Sequence, residues 1–287
     1  MGMGTWIDRL SASALWAAAF AAGLLLGPEA RAERQCRQDL CLVTGELEGK
    51  VVFSLTNDFP VPAHVELEFT DLRNLEPDHP EPKRLVAPGS AEPLAVLRPR
   101  DEAASYRYRF QWSYVLGDPE ARHDEAVRYR MPFGGGAARK LAPGPLGAVR
   151  FQGDHALDIE MPAGTPVLAA REGVVLQVVD EFEEGGRSTA LAAKANQVVV
   201  LHPDGTMARY LHLQKGAAVA PGEAVAAGAR LGASGDTGYT VAPHLHFDVV
   251  RATPGGGLDS VAIRFAGSEP EGFAPERGRS YPPQARP

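Results

Sequence analysis

The chain is poor in cysteine: 287 residues contain only Cys36 and Cys41. Two thiols with no histidine nearby in sequence cannot supply the four ligands of a structural zinc, so they do not read as a metal site. In an oxidising compartment they are expected to pair, closing a loop so short that the bond pins the N-terminal arm rather than holding the fold. An excess of positive charge is also missing. Lys and Arg number 29 against 36 Asp and Glu, a net charge of −7. Mild acidity argues against nucleic acid as a partner and against dependence on anionic lipid. Long apolar runs are absent beyond residue 26, so no membrane span is expected in the mature form.

The one apolar run, 10–26, follows Arg9 and ends at Ala30-Arg31-Ala32, just before Glu33. A basic start, a short apolar middle and small residues at a cleavage point read as a secretory signal peptide over residues 1–32. The 287 residues less these 32 leave 255, enough for two domains. The charge is unchanged by cleavage, because Asp8 and Glu29 leave together with Arg9 and Arg31. The mature protein is expected outside the cytoplasm, in the periplasm or secreted.

The rest of the chain reads as β. Val51-Val52-Phe53-Ser54-Leu55 and Val65-Glu66-Leu67-Glu68-Phe69 are short branched or alternating runs separated by a polar, proline-bearing turn. The aromatic–polar alternation from Ser105 to Trp112 suits a strand with one wet face. Strands at this spacing predict an Ig-like β-sandwich over 33–133, and His64, His79 and His123 within it read as surface residues. Gly134-Gly135-Gly136 and Pro143-Gly144-Pro145 mark a linker over 134–146. A second, antiparallel β domain is expected over 147–265. It is built on runs such as Gly173-Val174-Val175-Leu176-Gln177-Val178-Val179 and Gln197-Val198-Val199-Val200-Leu201, with a hairpin turn at His202-Pro203-Asp204-Gly205-Thr206. The segment 180–194 reads equally as a long loop or a short helix. Residues 266–287, rich in Pro, Gly and charge, read as a flexible tail.

Chemistry concentrates in the second half. In the strand Pro243-His244-Leu245-His246-Phe247 the two imidazoles point to one face while Leu245 and Phe247 point to the other. His212 closes the run Arg209-Tyr210-Leu211, and Asp158 lies in His155-Ala156-Leu157-Asp158-Ile159. A carboxylate plus imidazoles from separate strands is the donor set of a catalytic zinc, which acidifies water and polarises a carbonyl. His202, in its turn, reads as structural. Gly235-Asp236-Thr237-Gly238 reads as a tight turn rather than a phosphate cradle, because no P-loop lysine follows.

Three ordered motifs within 147–265 resemble the lysostaphin/LytM-type zinc metallopeptidases, which cleave bacterial cell-wall peptides. They are Asp158-Ile159 with Met161-Pro162-Ala163-Gly164-Thr165-Pro166-Val167, then His202-Pro203-Asp204-Gly205-Thr206 with Tyr210-Leu211-His212-Leu213, and Gly235-Asp236-Thr237-Gly238 with the His244/His246 strand. The resemblance implies Zn2+ as cofactor, with Asp158 and His246 as ligands and His212 and His244 as the catalytic pair beside them. One departure stands out. The family's first ligand, a histidine, sits four residues before the aspartate, where this chain has Asp154; His155 is three before. A bulge could aim His155 inward, Asp154 could itself ligate, or the ligand could be lost; His155 is the leading expectation. The resemblance thus implies a metalloendopeptidase acting on the peptides of peptidoglycan. The alternative is a noncatalytic LytM-like domain that binds peptidoglycan or activates a partner, a cell-wall amidase or another envelope protein.

Overall fold

Alternation of apolar and polar side chains drives both halves into antiparallel sheet. The structure, a computed structural model, describes residues 32–79, 82–146, 155–253 and 257–284. The expected signal peptide lies outside them except for Ala32, as does Asp154. Among the described residues no helix is long and apolar enough to cross a membrane.

The N-terminal strands are β1 (Glu33–Arg37), β2 (Leu40–Leu47), β3 (Lys50–Asn57), β4 (Ala63–Arg73), β5 (Leu75–Pro77), β6 (Lys83–Val86), β7 (Ser90–Pro99) and β8 (Arg107–Leu116). They form a five-stranded sheet in the order β1-β2-β3-β7-β5 and a three-stranded sheet in the order β6-β4-β8. Leu42, Phe53, Leu55 and Leu97 from one sheet meet Val65, Leu67 and Trp112 from the other in a single core, so the expected two-sheet β architecture is present. Cys36 and Cys41 face each other across the β1–β2 hairpin and are disulfide-bonded, as expected of thiols so close in sequence.

The second unit comprises β9 (Arg139–Leu141), β10 (Leu157–Glu160), β11 (Pro166–Leu168), β12 (Gly173–Val179), β13 (Gly185–Gly186), β14 (Gln197–Leu201), β15 (Met207–Leu211), β16 (Ala224–Val225), β17 (Arg230–Ala233), β18 (Gly238–Tyr239), β19 (His244–Ala252), β20 (Leu258–Ser260) and β21 (Ser280–Tyr281). Its main sheet runs β16-β12-β14-β15-β19-β10-β9-β21, with β20 on β19. The open choice over 180–194 resolves as a loop that carries the two-residue strand β13 and one 3-10 turn at Thr189–Leu191.

The two faces of this sheet have different partners. Tyr210, Leu245, Phe247 and Val249 enter the unit's own core. On the other face Met207, Val250 and Ala252 join the core of the N-terminal sandwich. Even-numbered residues of β19 therefore carry the histidines at one end of the strand and anchor the sandwich at the other, a consequence of the two-residue period of a strand.

Three boundary expectations change. Tyr129, Met131 and Phe133 lie in the core of the second unit, so the chain enters that unit before Phe133. The expected linker contains β9, whose buried Leu141 pairs with Ile159; one apolar residue with a sheet edge to bury against outweighs the surrounding glycines. The expected tail is held by contacts as far as residue 284, although none of its residues is fully buried. Phe265 and Phe273 exchange backbone hydrogen bonds of 2.8 Å, Phe273 stacks on Tyr281 at 5.0 Å, and β21 pairs with β9. The composition suggested disorder, but two aromatics supply the apolar area that orders the segment.

Candidate active site

Strand pairing brings the site together. β10 and β19 are antiparallel with Asp158 opposite His246, and β15 ends with Leu211 opposite His246, which leaves His212 one step beyond the sheet edge. His212 has φ +64°, a left-handed backbone uncommon for a residue with a side chain. This turn directs its ring to the histidines of β19: centroids lie 4.5 Å apart for His212 and His244, and 6.3 Å apart for His212 and His246. Asp158, His212, His244 and His246 are all buried.

Each histidine has one ring nitrogen committed. His212 Nδ1 donates to Thr237 O at 2.7 Å, and His244 Nδ1 donates to Ala242 O at 2.8 Å. A carbonyl can only accept, so both rings carry the proton on Nδ1 and leave Nε2 as an acceptor. His244 Nε2 is buried without a hydrogen-bond partner and lies 3.8 Å from Asp158 Oδ1. The Thr237 carbonyl is itself held by the surrounding loops. Thr237 Oγ1 donates to Leu213 O at 2.8 Å and accepts from Asn196 N, while Gly185 lies against Asp236 O so tightly that no Cβ would fit.

His246 behaves differently. Its Nδ1 donates to Asp158 Oδ1 at 2.8 Å, and Leu146 N donates to Asp158 Oδ2 at 2.6 Å. Burial opposes charge on both partners. It is overcome in each: the His246 hydrogen bond and charge, with the Leu146 amide, hold Asp158 well below the usual carboxylate range, and Asp158 with Asp248 raises His246 to about 9. The metal-free pair is therefore an ion pair. Burial instead keeps His212 and His244 neutral, lowering His212 to about 3 and His244 below its ordinary value.

A carboxylate oxygen and an imidazole nitrogen converging at 2.8 Å, both buried, form a donor pair of the kind zinc takes. Among the described residues no group of three His, Cys, Asp or Glu converges further. His155 is not gathered in: it is exposed, in the turn before β10, with its backbone N–H 3.3 Å from Ser260 Oγ. Three residues from Asp158, it falls on the opposite side of the pleat, and the bulge that would have re-aimed it would lie at residues 153–154, outside the described residues.

The sequence reading missed Asp248 and Arg209. Asp248 follows His246 on the same face of β19, and Arg209 sits directly opposite it on β15. The period-two pattern His244, His246, Asp248 was the available signal. Of the remaining histidines, His123 is half-buried and stacked on Tyr129 rather than a free surface residue. His202 is structural as expected, buried with Nδ1 on Glu172 O at 2.8 Å.

Part of the chain is similar to known proteins. Residues 152–257 match peptidase family M23. The chain is 40% identical over 98 residues to the peptidoglycan DD-endopeptidase ShyA of Vibrio cholerae, a match covering 34% of this chain and 20% of that protein. It is 35% identical over 132 residues to lysostaphin of Staphylococcus simulans, covering 44% and 23% respectively. Among solved structures, the catalytic domain of lysostaphin from the same organism aligns at 36% identity with a TM-score of 0.28, over 40% of this chain and 77% of that one. The chain thus spans about a fifth to a quarter of the length of these two curated relatives. With Asp158, His212, His244 and His246 all inside the matched span, residues 152–257 form a peptidase family M23 domain.

Proposed function

We propose that this domain is a zinc-dependent endopeptidase that hydrolyses peptide bonds in bacterial cell-wall peptidoglycan, outside the cytoplasmic membrane. The observation that carries the reading is the convergence of Asp158 Oδ1 and His246 Nδ1 at 2.8 Å beside the neutral rings of His212 and His244. Asp158 and His246 would hold the metal. Bound zinc supplies Lewis acidity that polarises a peptide carbonyl and acidifies water.

The remaining work falls to this chain's own groups. His212 and His244 each present an unprotonated Nε2. One accepts the proton of the attacking water and passes it to the leaving amine as the carbon–nitrogen bond breaks; the other, after taking up a proton from solvent at Nε2, donates a hydrogen bond to the developing oxyanion. The third ligand is His155, which would have to turn inward from its exposed position, or Asp154. Zinc content of His155→Ala against Asp154→Ala separates the two.

The test is metal analysis of protein purified without added zinc, together with digestion of purified sacculi alongside casein. Near-stoichiometric zinc that His246→Ala abolishes, with fragments released from sacculi and not from casein, is the expected result. A chain that takes up no zinc sinks the catalytic reading. The exposure of His155 favours one second reading: a noncatalytic domain that binds peptidoglycan or activates a cell-wall amidase. It predicts sacculus binding, or amidase stimulation, that survives His246→Ala.

A further inference from the structure

Among the described residues, four that are not glycine have a left-handed backbone: Gln38, Glu48, Asn74 and His212. Gln38 and Glu48 are exposed at hairpin turns and Asn74 is part-buried between β4 and β5, whereas His212 is buried. Residues with a Cβ populate this region sparsely, so a buried one persists only where its surroundings over-determine it. At His212 the same conformation aims the ring at His244. Whatever holds this backbone therefore helps to assemble the site.

Two buried residues, Asn196 and Thr237, grip the peptide that follows His212. Thr237 Oγ1 donates to Leu213 O at 2.8 Å, and Asn196 Nδ2 donates to the same oxygen at 3.3 Å. Leu213 N in turn donates to Asn196 O at 3.2 Å. The two residues are tied to each other, because Asn196 N donates to Thr237 Oγ1 at 3.0 Å. Asn196 is anchored from its other side, where Oδ1 accepts from Phe182 N at 2.9 Å and Nδ2 donates to Phe182 O at 2.8 Å. The Thr237 carbonyl accepts from His212 Nδ1 at 2.7 Å, so one residue braces both the ring of His212 and the backbone beside it.

Resting on the endopeptidase reading above, we infer that Thr237 and Asn196 are positioning residues that hold His212 in its left-handed backbone and so keep its ring against His244. Each acts through His212 rather than on the substrate. The Thr237 hydroxyl is the specific element: it alone links Leu213 O to Asn196 N, and valine, of similar shape, cannot make either bond.

The experiment uses the full chain as wild type, Thr237→Val, Thr237→Ser and Asn196→Ala, with Thr237→Val also placed in a His212→Ala background. Fragment release from sacculi and zinc content are measured for each. Thr237→Val is expected to lower turnover by about 10²-fold, the order of loss that a small misplacement of a reacting group brings. Its zinc content should stay near wild type, because the bonds removed go to Leu213 and Asn196. Thr237→Ser restores the hydroxyl and should recover most of the turnover. In the His212→Ala background Thr237→Val should cost nothing further, as for residues that act as a unit; a residue that only stabilised the fold would lower hydrolysis in both backgrounds. In the metal-free protein, the nuclear Overhauser contact between the ring protons of His212 and His244 should be present in wild type and Thr237→Ser and weakened in Thr237→Val. Asn196→Ala carries the same measurements if Thr237→Val folds poorly. The inference is overturned by unchanged turnover or an unchanged ring contact in folded Thr237→Val, by an equal loss in Thr237→Ser, or by an equal further loss in the His212→Ala background. If the wild type neither binds zinc nor releases fragments, the endopeptidase reading fails, and the ring contact still decides whether the brace sets His212.

Discussion

The molecule holds two groups of histidines, and they differ in what surrounds the rings. In one, His123 and His202 flank Tyr129, stacked at 5.9 Å and edge-on at 5.6 Å. The nearby carboxylate, Asp204, is already taken: Arg171 Nη1 lies 2.6 Å from its Oδ2, and Asp124 N donates to the same oxygen at 3.0 Å. In the other group, the carboxylate of Asp158 is directed at His246, and two further rings stand beside it with Nε2 uncommitted. Burial lowers the basicity of His202, to about 4, as it does for His212, to about 3. A depressed histidine is therefore no sign of a site in itself. What separates the groups is whether a carboxylate is available to a ring nitrogen or is neutralised by arginine.

Substitutions can break this contrast, beginning with the greatest effect. His246→Ala removes a donor from the pair and is expected to abolish both zinc uptake and sacculus hydrolysis, measured by metal analysis and fragment release. His212→Ala and His244→Ala should each lower hydrolysis by roughly 10²- to 10⁴-fold, the usual contribution of a proton-transfer group. Zinc content should stay near wild type in both, and a loss of zinc would make these rings ligands instead. In the other cluster, Arg171→Met leaves Asp204 without its buried partner. It should cost about 3–5 kcal/mol of stability in urea unfolding, with hydrolysis per folded molecule unchanged.

The smallest effect is a pH dependence. His202 has a folded-state pKa of about 4 against roughly 6.5 in the unfolded chain. Between these values the unfolded state binds more protons, so stability rises with pH. The contribution is full above roughly pH 6.5 and is lost as pH falls toward 4. Compared with wild type, His202→Gln should remove roughly 2 kcal/mol of the stability difference between pH 7.5 and pH 5. Equal slopes for the two proteins would show that His202 titrates freely.

Much of the site was legible because strand residues alternate. The spacing of His244 and His246 placed both on one face before any partner was known, and β10 and β15 delivered Asp158 and His212 to the same place. The same alternation places Asp248 on that face. Arg209 was not legible as its partner, because it lies opposite Asp248 across strands that are far apart in sequence. The tail and the linker misled for a compositional reason: Pro and Gly describe how a chain turns, whereas Phe273, Tyr281 and Leu141 decide whether it is held.

The sequence by itself determined that this protein is built from β-strands, that Cys36 and Cys41 would pair, and that an M23-type motif set runs from Asp158 to His246. Local period and short-range spacing suffice for the first two of these, and the third rests on resemblance to a known family. Only the tertiary structure decided that His155 is exposed, that Asp158 and His246 meet at 2.8 Å, and that the sandwich packs against the histidine-bearing face of β19. Those outcomes depend on strand register and on which apolar faces find each other, and both are set by contacts between residues distant in the chain.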